Sequence, residues 1–396
     1  MSMRRVPKLH AGLLALVVAL VTIRPAMADI TDCASQEFRR EFIADSPMEP
    51  VQGLRCGLTS SNPKIVKAGD SVLPCLTDIV EGKSDQIPEC RKNSRLCRNW
   101  AMRAIDEIGT PRAKAFFMSL AGTSDDTDLL IGAAGALANL HVRQAIPILY
   151  ARLNSESARV RAQLVMSLGI LQAREHTADL LKTALGLEPD DFYNAAHGFR
   201  FLGDPSVVPA LRKYVDAMPP SDRRNFLLGQ VNDIGVIANF QAGIEQKNAE
   251  HRAWAESYFR AAIDEGERAG VRSQTLGDAY YELGDLCRKA ARLDEAETMF
   301  DRTAELWQGS LPLGNDKRLE LEIARALVRE AKGMDRDGAK KVAWIARVLH
   351  AGRPERRQEL ESQFPELRGA FGRYESYCRS NKLQGCQQDL SEYVTR

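Results

Sequence analysis

DDFYNAAHGFRFLGDPSVVPALRKY, Asp190 to Tyr214, gathers a histidine, several aromatics, two arginines and three aspartates in one short window. Such density reads at first as a site. Set beside its upstream neighbours, the window is instead one copy of a repeat. AIDEIGTPRAKAFFMSLAG (Ala104–Gly122), ALANLHVRQAIPILYARLN (Ala136–Asn154), SLGILQAREHTADLLKTALG (Ser167–Gly186) and GFRFLGDPSVVPALRKYVDA (Gly198–Ala217) share one grammar. An apolar helix ends, the chain turns sharply, and an amphipathic helix begins. The last apolar residues before the turn are Ile108, Leu140, Leu171 and Leu202, at spacings of 32, 31 and 31. A fifth copy lies upstream, where SVLPCLTDIVEG (Ser71–Gly82) matches SVVPALRKYVDA (Ser206–Ala217) almost residue for residue. Pro74, Pro147 and Pro209 hold one place in the first turn of the second helix, where an amide has no intrahelical acceptor to lose. Self-similarity at this period is the signature of a solenoid of stacked units.

The window therefore divides into core and caps. Phe192, Ala195, Ala196, Phe199 and Leu202 recur at steps of three and four, a buried helix face. Asp190 and Asp191 sit where a helix start favours negative charge, and Asp204 is placed to cap the next helix. Tyr193, His197 and Arg200 remain, at i, i+4 and i+7 on one other face. They are the candidate partner-binding residues, against the plainer reading of a solvated polar face.

SARVRAQLVMSLGIL, Ser157 to Leu171, carries a Val-Arg start and resembles the second helix of the HEAT-repeat family. The resemblance extends over about residues 60–235. It implies paired antiparallel helices, with the second helix of each pair lining a concave side, and is almost silent on activity. Past residue 240 the grammar changes. LGDAYYELGDLCRKAARLDEAETMFDRTAELW, Leu276 to Trp307, resembles a tetratricopeptide repeat: Leu283-Gly284 is followed by Ala296 and Phe300. Gly243, Ala255, Phe259 and Ala262 repeat the spacing, and Gly243 to Gly284 is 41 residues. That exceeds the usual ~34, which implies long helices or an extended linker. A weaker third copy is DRDGAKKVAW, Asp335 to Trp344. This second resemblance implies protein or peptide partners.

The N-terminus carries a separate signal. Arg4, Arg5 and Lys8 precede an apolar run, Ala11 to Ile23, too short to cross a bilayer as a helix, which takes ~20 residues. Ala26-Met27-Ala28 follows, so residues 1–28 read as a secretory signal peptide, with Asp29 as the first mature residue. Removing them leaves 54 − 4 = 50 basic residues against 53 acidic, a charge near −3. The charges are mixed along the chain, unlike the basic face of a nucleic-acid binder. No later segment is long and apolar enough to be an integral membrane span.

All eight cysteines follow residue 28, and an even count in an exported chain points to disulfides. Cys378–Cys386 is expected as one bridge, closing the polar turn RSNKLQG. Cys33, Cys56, Cys75, Cys90 and Cys97 are expected to form two bridges and leave one thiol, with Cys90–Cys97 among the candidates. Cys287 lies on an apolar helix face and is expected to be buried and free. The histidines after residue 28, at 141, 176, 197, 251 and 350, are scattered without ligand spacing, so no metal or cofactor is expected. No nucleophile elbow, phosphate loop, dinucleotide fingerprint or His-Glu-x-x-His occurs.

The sequence thus reads as an all-α, α–α superhelical solenoid. A signal peptide (1–28) is followed by a cysteine-containing cap (29–60), a HEAT-like domain (61–235), a tetratricopeptide-like domain (236–350) and a helical cap with a disulfide (351–396). The expected function is an exported, periplasmic or secreted, non-catalytic scaffold binding a protein or peptide on the concave surface. The alternative is an enzyme, or an enzyme's accessory subunit in the cell envelope, with a polar site on that face.

Overall fold

The computed structural model describes residues 35–44, 62–83, 87–92, 94–154, 157–308, 316–333 and 354–369, with the single positions 33, 373, 376, 379 and 380. Residues 1–28, the third repeat copy at 335–344, Cys56, Cys378 and Cys386 lie outside them. The described residues are all-α, without strands, and the chain divides into two compact units, Met1–Leu202 and Gly203–Arg396.

In the first unit, α1 (Gln36–Ala44), α2 (Pro63–Ala68), α3 (Leu73–Val80) and α4 (Pro88–Lys92) precede the regular series. The series runs α5 (Ser94–Ile108), α6 (Pro111–Thr123), α7 (Thr127–Asn139), α8 (Ile146–Ala151), α9 (Ala158–Ile170), α10 (Thr177–Leu185) and α11 (Pro189–Leu202). The longer helices α5, α7, α9 and α11 pack successively on one another, α9 against α11 most extensively. Several starts have a local cause. Thr110, Asp126 and Ser157 accept backbone N–H bonds from the first turns of α6, α7 and α9, satisfying donors that a helix start leaves orphaned. Pro74 and Pro147 stand in the first turns of α3 and α8.

The period is written in the backbone. Gly109, His141, Gln172 and Gly203 all adopt left-handed conformations, φ +58°, +50°, +58° and +67°. Each directly follows one of the apolar residues that set the 32-31-31 spacing. At His141 and Gln172 a side chain sits where glycine is favoured, at ~1–2 kcal/mol. Paired capping bonds offset that cost: Val142 N–H donates to the Leu137 carbonyl at 2.9 Å and Ala173 N–H to the Leu168 carbonyl at 3.0 Å, the pattern that closes a helix C-terminus.

The second unit holds α12 (Val208–Asp216), α13 (Asp222–Asn248), α14 (Arg252–Ala269), α15 (Gln274–Lys289), α16 (Leu293–Trp307), α17 (Asp316–Ala331) and α18 (Pro354–Gln363). The long period comes from helix length, since α13 alone has 27 residues. Left-handed residues again mark it: Glu250, Ala291 and Gly333, at spacings of 41 and 42. Within each pair a glycine faces an aromatic ring. A Cβ on Gly243 would stand 2.5 Å from the Phe259 ring, and one on Gly284 would stand 2.7 Å from the Phe300 ring. These are the glycine–aromatic pairs that the spacing singles out. Ala255, Ala262 and Ala296 are fully buried beside them.

Cys33–Cys75 and Cys90–Cys97 are disulfides. Cys287 is free and wholly buried, its thiol pushed up to about 11 by burial, with Glu295 adding to the effect.

Candidate functional site

Helix α11 opens with Asp190 and Asp191 in its first turn and buries Phe192, Ala195, Ala196, Phe199 and Leu202. Asp204 accepts from Ser206 N–H at 2.9 Å. The core and cap assignments of the sequence hold here. Tyr193, His197 and Arg200 share the helix, all half-buried. The His197 ring lies 5.4 Å from that of exposed Phe201, tilted by 58°. Its Nδ1 is closed to solvent and has no hydrogen-bond partner. Among the described residues no carboxylate comes within ion-pair reach of His197, so no acid–base pair is assembled around it.

Burial, helped by the nearby charge of Arg200, pushes the His197 imidazole below its ordinary value. NMR titration should therefore give a midpoint below about 6.5. Above that pH the folded and unfolded chains are both neutral at this ring. As pH falls through 6.5 the unfolded chain takes up the proton first, and stability is lost until the folded midpoint is passed. His197→Phe should remove that acid-side loss. A midpoint at or above 6.5 contradicts the geometry.

Three clefts collect other polar groups, and none of them is lined by His197. In the first unit, about 380 Å³ is bounded by Tyr150, Asn154, Arg161, Asp179 and Lys182. Tyr150 donates to Asp179 at 2.6 Å and stacks on His176 at 3.7 Å. The Asp179 bond raises the phenol above its usual range. In the second unit, about 590 Å³ lies beside Glu267, Arg272, Leu276, Arg302 and Glu305. Tyr280 and Arg302 both donate to Glu267, at 2.6 and 2.8 Å. A third cleft, about 410 Å³, has Lys247, Arg252 and Lys289 on its walls. Tyr150 with Asp179, and Tyr280 and Arg302 with Glu267, are thus paired at the first two clefts, and exposed pairs of this kind contribute little to stability, ~0–1 kcal/mol each.

Among the described residues four charged side chains are buried, Glu41, Glu265, Asp285 and Arg288. On α15, Tyr281, Asp285 and Arg288 follow at i, i+4 and i+7 and are 7%, 5% and 8% exposed. Arg288 donates to Asp285 at 2.9 Å and also pairs with Glu366. Burial opposes ionisation of Asp285, but Lys289 and Arg288 outweigh it and hold the carboxyl below its ordinary value. The guanidinium lies 5.4 Å from the Phe364 ring centre. Gln363 reaches the Tyr281 hydroxyl at 3.4 Å and Glu320 of α17 at 3.5 Å. Leu360, Phe364 and Leu367 complete the contact and are 0%, 0% and 4% exposed. The residues from α18 to Leu367 thus lie on α15 and α17. Sequence reading missed this site, because Glu366 is 78 residues from Arg288. The available signal was the step of four and three, both in Tyr281-Asp285-Arg288 and in Leu360-Phe364-Leu367.

The family model of HEAT repeats matches residues 123–197, which span α7 through most of α11. The chain is a HEAT/tetratricopeptide-like repeat protein. It is also similar to the Photosystem I assembly protein Ycf3 of Rippkaea orientalis. They are 25% identical over 129 residues, which is 32% of this chain and 68% of that protein. Among the described residues of the repeat protein, no helix is long and apolar enough to cross a membrane.

Proposed function

We propose that this protein is an exported, non-catalytic scaffold that binds another protein through helix faces presented in series, with Tyr193, His197 and Arg200 among the contacts. The observation that carries the reading is the backbone register. A left-handed residue recurs at spacings of 31–32 and then of 41–42, so equivalent helix faces recur along the chain. Such rows of faces suit an extended protein segment better than a small molecule. The similarity to a protein named for assembling photosystem I supports a role in handling other proteins, without carrying photosystem I over to this chain.

In-cell photo-crosslinking tests the proposal. With the probe at position 193 or 200, a discrete protein adduct is expected in the cell-envelope fraction, on a chain whose first residue is Asp29. A probe at Lys114 on α6 should give none. The folded Tyr193→Ala/His197→Ala/Arg200→Ala variant should bind the captured protein at least tenfold more weakly, the ~1–2 kcal/mol typical of real anchors. Full affinity in that variant would remove this face from the proposal, and recovery only in the cytosol would remove export.

A further inference from the structure

The two disulfides of the first unit differ in what they hold. Cys90–Cys97 joins α4 to α5 across a separation of 7, and both its cysteines are buried, at 3% and 6% exposed. Cys33–Cys75 joins the chain just before α1 to α3 across a separation of 42. Cys75 is 1% exposed, but Cys33 is half-buried, so this bridge offers one sulfur to an attacking thiolate. On chain length alone, opened thiols 42 residues apart meet again roughly tenfold less readily than thiols 7 apart.

The elements at the two ends of the long bridge are also unequal. Helix α3 buries Leu73, Cys75, Leu76, Ile79 and Val80 and packs extensively on α5, so Cys75 keeps its place without the bond. Helix α1 packs only lightly on α2. Its buried rings are Phe38 and Phe42. Covering it has a cost, since Arg39 Nε is closed to solvent without a hydrogen-bond partner. Its polar hold is Glu41, which accepts from Asn62 and Lys64. Lys64 and then Asn62 hold this carboxyl down at about 2. The grip is therefore complete above the ordinary 4.5 and is lost only as pH falls towards 2. Mild acid leaves that contact in place, whereas the bond from Cys33 is open to thiol chemistry.

We propose that Cys33–Cys75 is a redox-sensitive latch with α1 as its moving part. A dithiol reductant opens the long bridge and frees Gln36–Ala44, while Cys90–Cys97 stays closed. One thiolate of the reductant attacks Cys33 Sγ, the S–S bond breaks, and Cys75 leaves as a thiolate that takes up a proton. The reductant's second thiolate attacks the mixed disulfide and releases Cys33, which is protonated in turn. Two electrons and two protons have then passed to the bridge, and the reductant is left as a disulfide. A disulfide oxidant of the same class reverses both steps, and closure needs α1 back on α2. Bridge and helix are thus coupled reciprocally. The latch belongs to the chain itself and stands whether or not Tyr193, His197 and Arg200 meet a partner.

The test equilibrates the full chain over a series of ratios of reduced to oxidised dithiothreitol. Each sample is split between alkylation with peptide mapping and hydrogen exchange read by mass spectrometry. Cys33 and Cys75 should become alkylated at a ratio roughly tenfold or more below that for Cys90 and Cys97. Between the two midpoints, amides of Gln36–Ala44 should exchange roughly tenfold faster or more, with α5 to α11 still protected. Phe38→Ser/Phe42→Ser removes the rings and keeps every cysteine. It should move the Cys33–Cys75 midpoint to a severalfold lower ratio and leave that of Cys90–Cys97 unchanged. Two bridges opening at one common ratio would overturn the proposal. So would an opened Cys33–Cys75 with α1 still protected, or an unmoved midpoint in Phe38→Ser/Phe42→Ser. Loss of protection throughout α5 to α11 on opening the long bridge would overturn it too, because the bridge would then hold the unit's core rather than one helix.

Discussion

Gly169→Ala is expected to destabilise the first unit strongly, although alanine is the better helix former by roughly 1 kcal/mol. Gly169 on α9 and Gly198 on α11 face each other across a backbone contact. A Cβ on Gly169 would stand 2.3 Å from the Gly198 carbonyl oxygen, and one on Gly198 would stand 2.7 Å from the Val165 carbonyl oxygen. Neither obstacle is a flexible side-chain tip, so the helices themselves must part. Parting them loosens the buried faces of both, including Val165, Leu168, Phe192, Ala195 and Phe199. Overpacking costs ~1–3 kcal/mol in ordinary cores, and an unyielding backbone puts this site at the upper end. The melting temperature of the first unit should fall by roughly 6–12 °C. Gly229→Ala on α13 supplies the opposite sign, since a Cβ there meets nothing within 4 Å. It should be neutral or stabilising by up to ~1 kcal/mol. Gly169→Ala/Gly198→Ala should cost less than the two single changes added together, because the first already separates the helices. Additive losses, or a stable Gly169→Ala, would mean that α9 and α11 do not pack through these glycines.

That glycine contact marks where sequence reading stops. The period was legible because apolar residues and first-turn prolines recur with it, and each is a local cause of helix, turn or cap. The glycine–aromatic pairs of the second unit were legible too, from a spacing that brings Gly243 to Phe259 and Gly284 to Phe300. Gly169 and Gly198 follow no such spacing, and only the packing of α9 on α11 reveals them. The left-handed turns at His141, Gln172, Glu250 and Ala291 were hidden for a related reason. No glycine marks them, and they are held by backbone bonds reaching back into the preceding helix.

The candidate sites divide in the same way. Tyr193, His197 and Arg200 lie on one helix, where spacing alone places them together. Tyr150 with Asp179 and Arg288 with Glu366 join residues 29 and 78 positions apart, and no periodicity of one helix reports such pairs. Buried charge is also invisible in a chain that is 27% charged throughout. Only the packing shows that Asp285 and Arg288 are covered while similar residues elsewhere face water.

Cysteine pairing had the same limit, and it carries the other large effect. Replacing both members of Cys33–Cys75 with alanine should destabilise the first unit by about 4 kcal/mol on the chain-entropy estimate. The bridge closes a separation of 42 residues, and the denatured chain without it gains that loop's freedom. Cys90–Cys97 closes only 7, so its double alanine variant should lose about 2–3 kcal/mol. The longer bridge also pins the N-terminal helix. Phe38 and Phe42 of α1 are buried, and Glu41 is clipped to α2 by Asn62 at 3.0 Å and Lys64 at 2.7 Å. Those contacts are too few to hold nine residues of helix against their own conformational entropy, ~1–2 kcal/mol per residue for backbone alone. Hydrogen exchange in Gln36–Ala44 should therefore accelerate in Cys33→Ala/Cys75→Ala and stay protected in Cys90→Ala/Cys97→Ala. Using double variants avoids leaving a thiol that can pair with Cys56. Equal melting losses, or unchanged exchange across α1, would show that the helix is held by its packing and that the long bridge adds little.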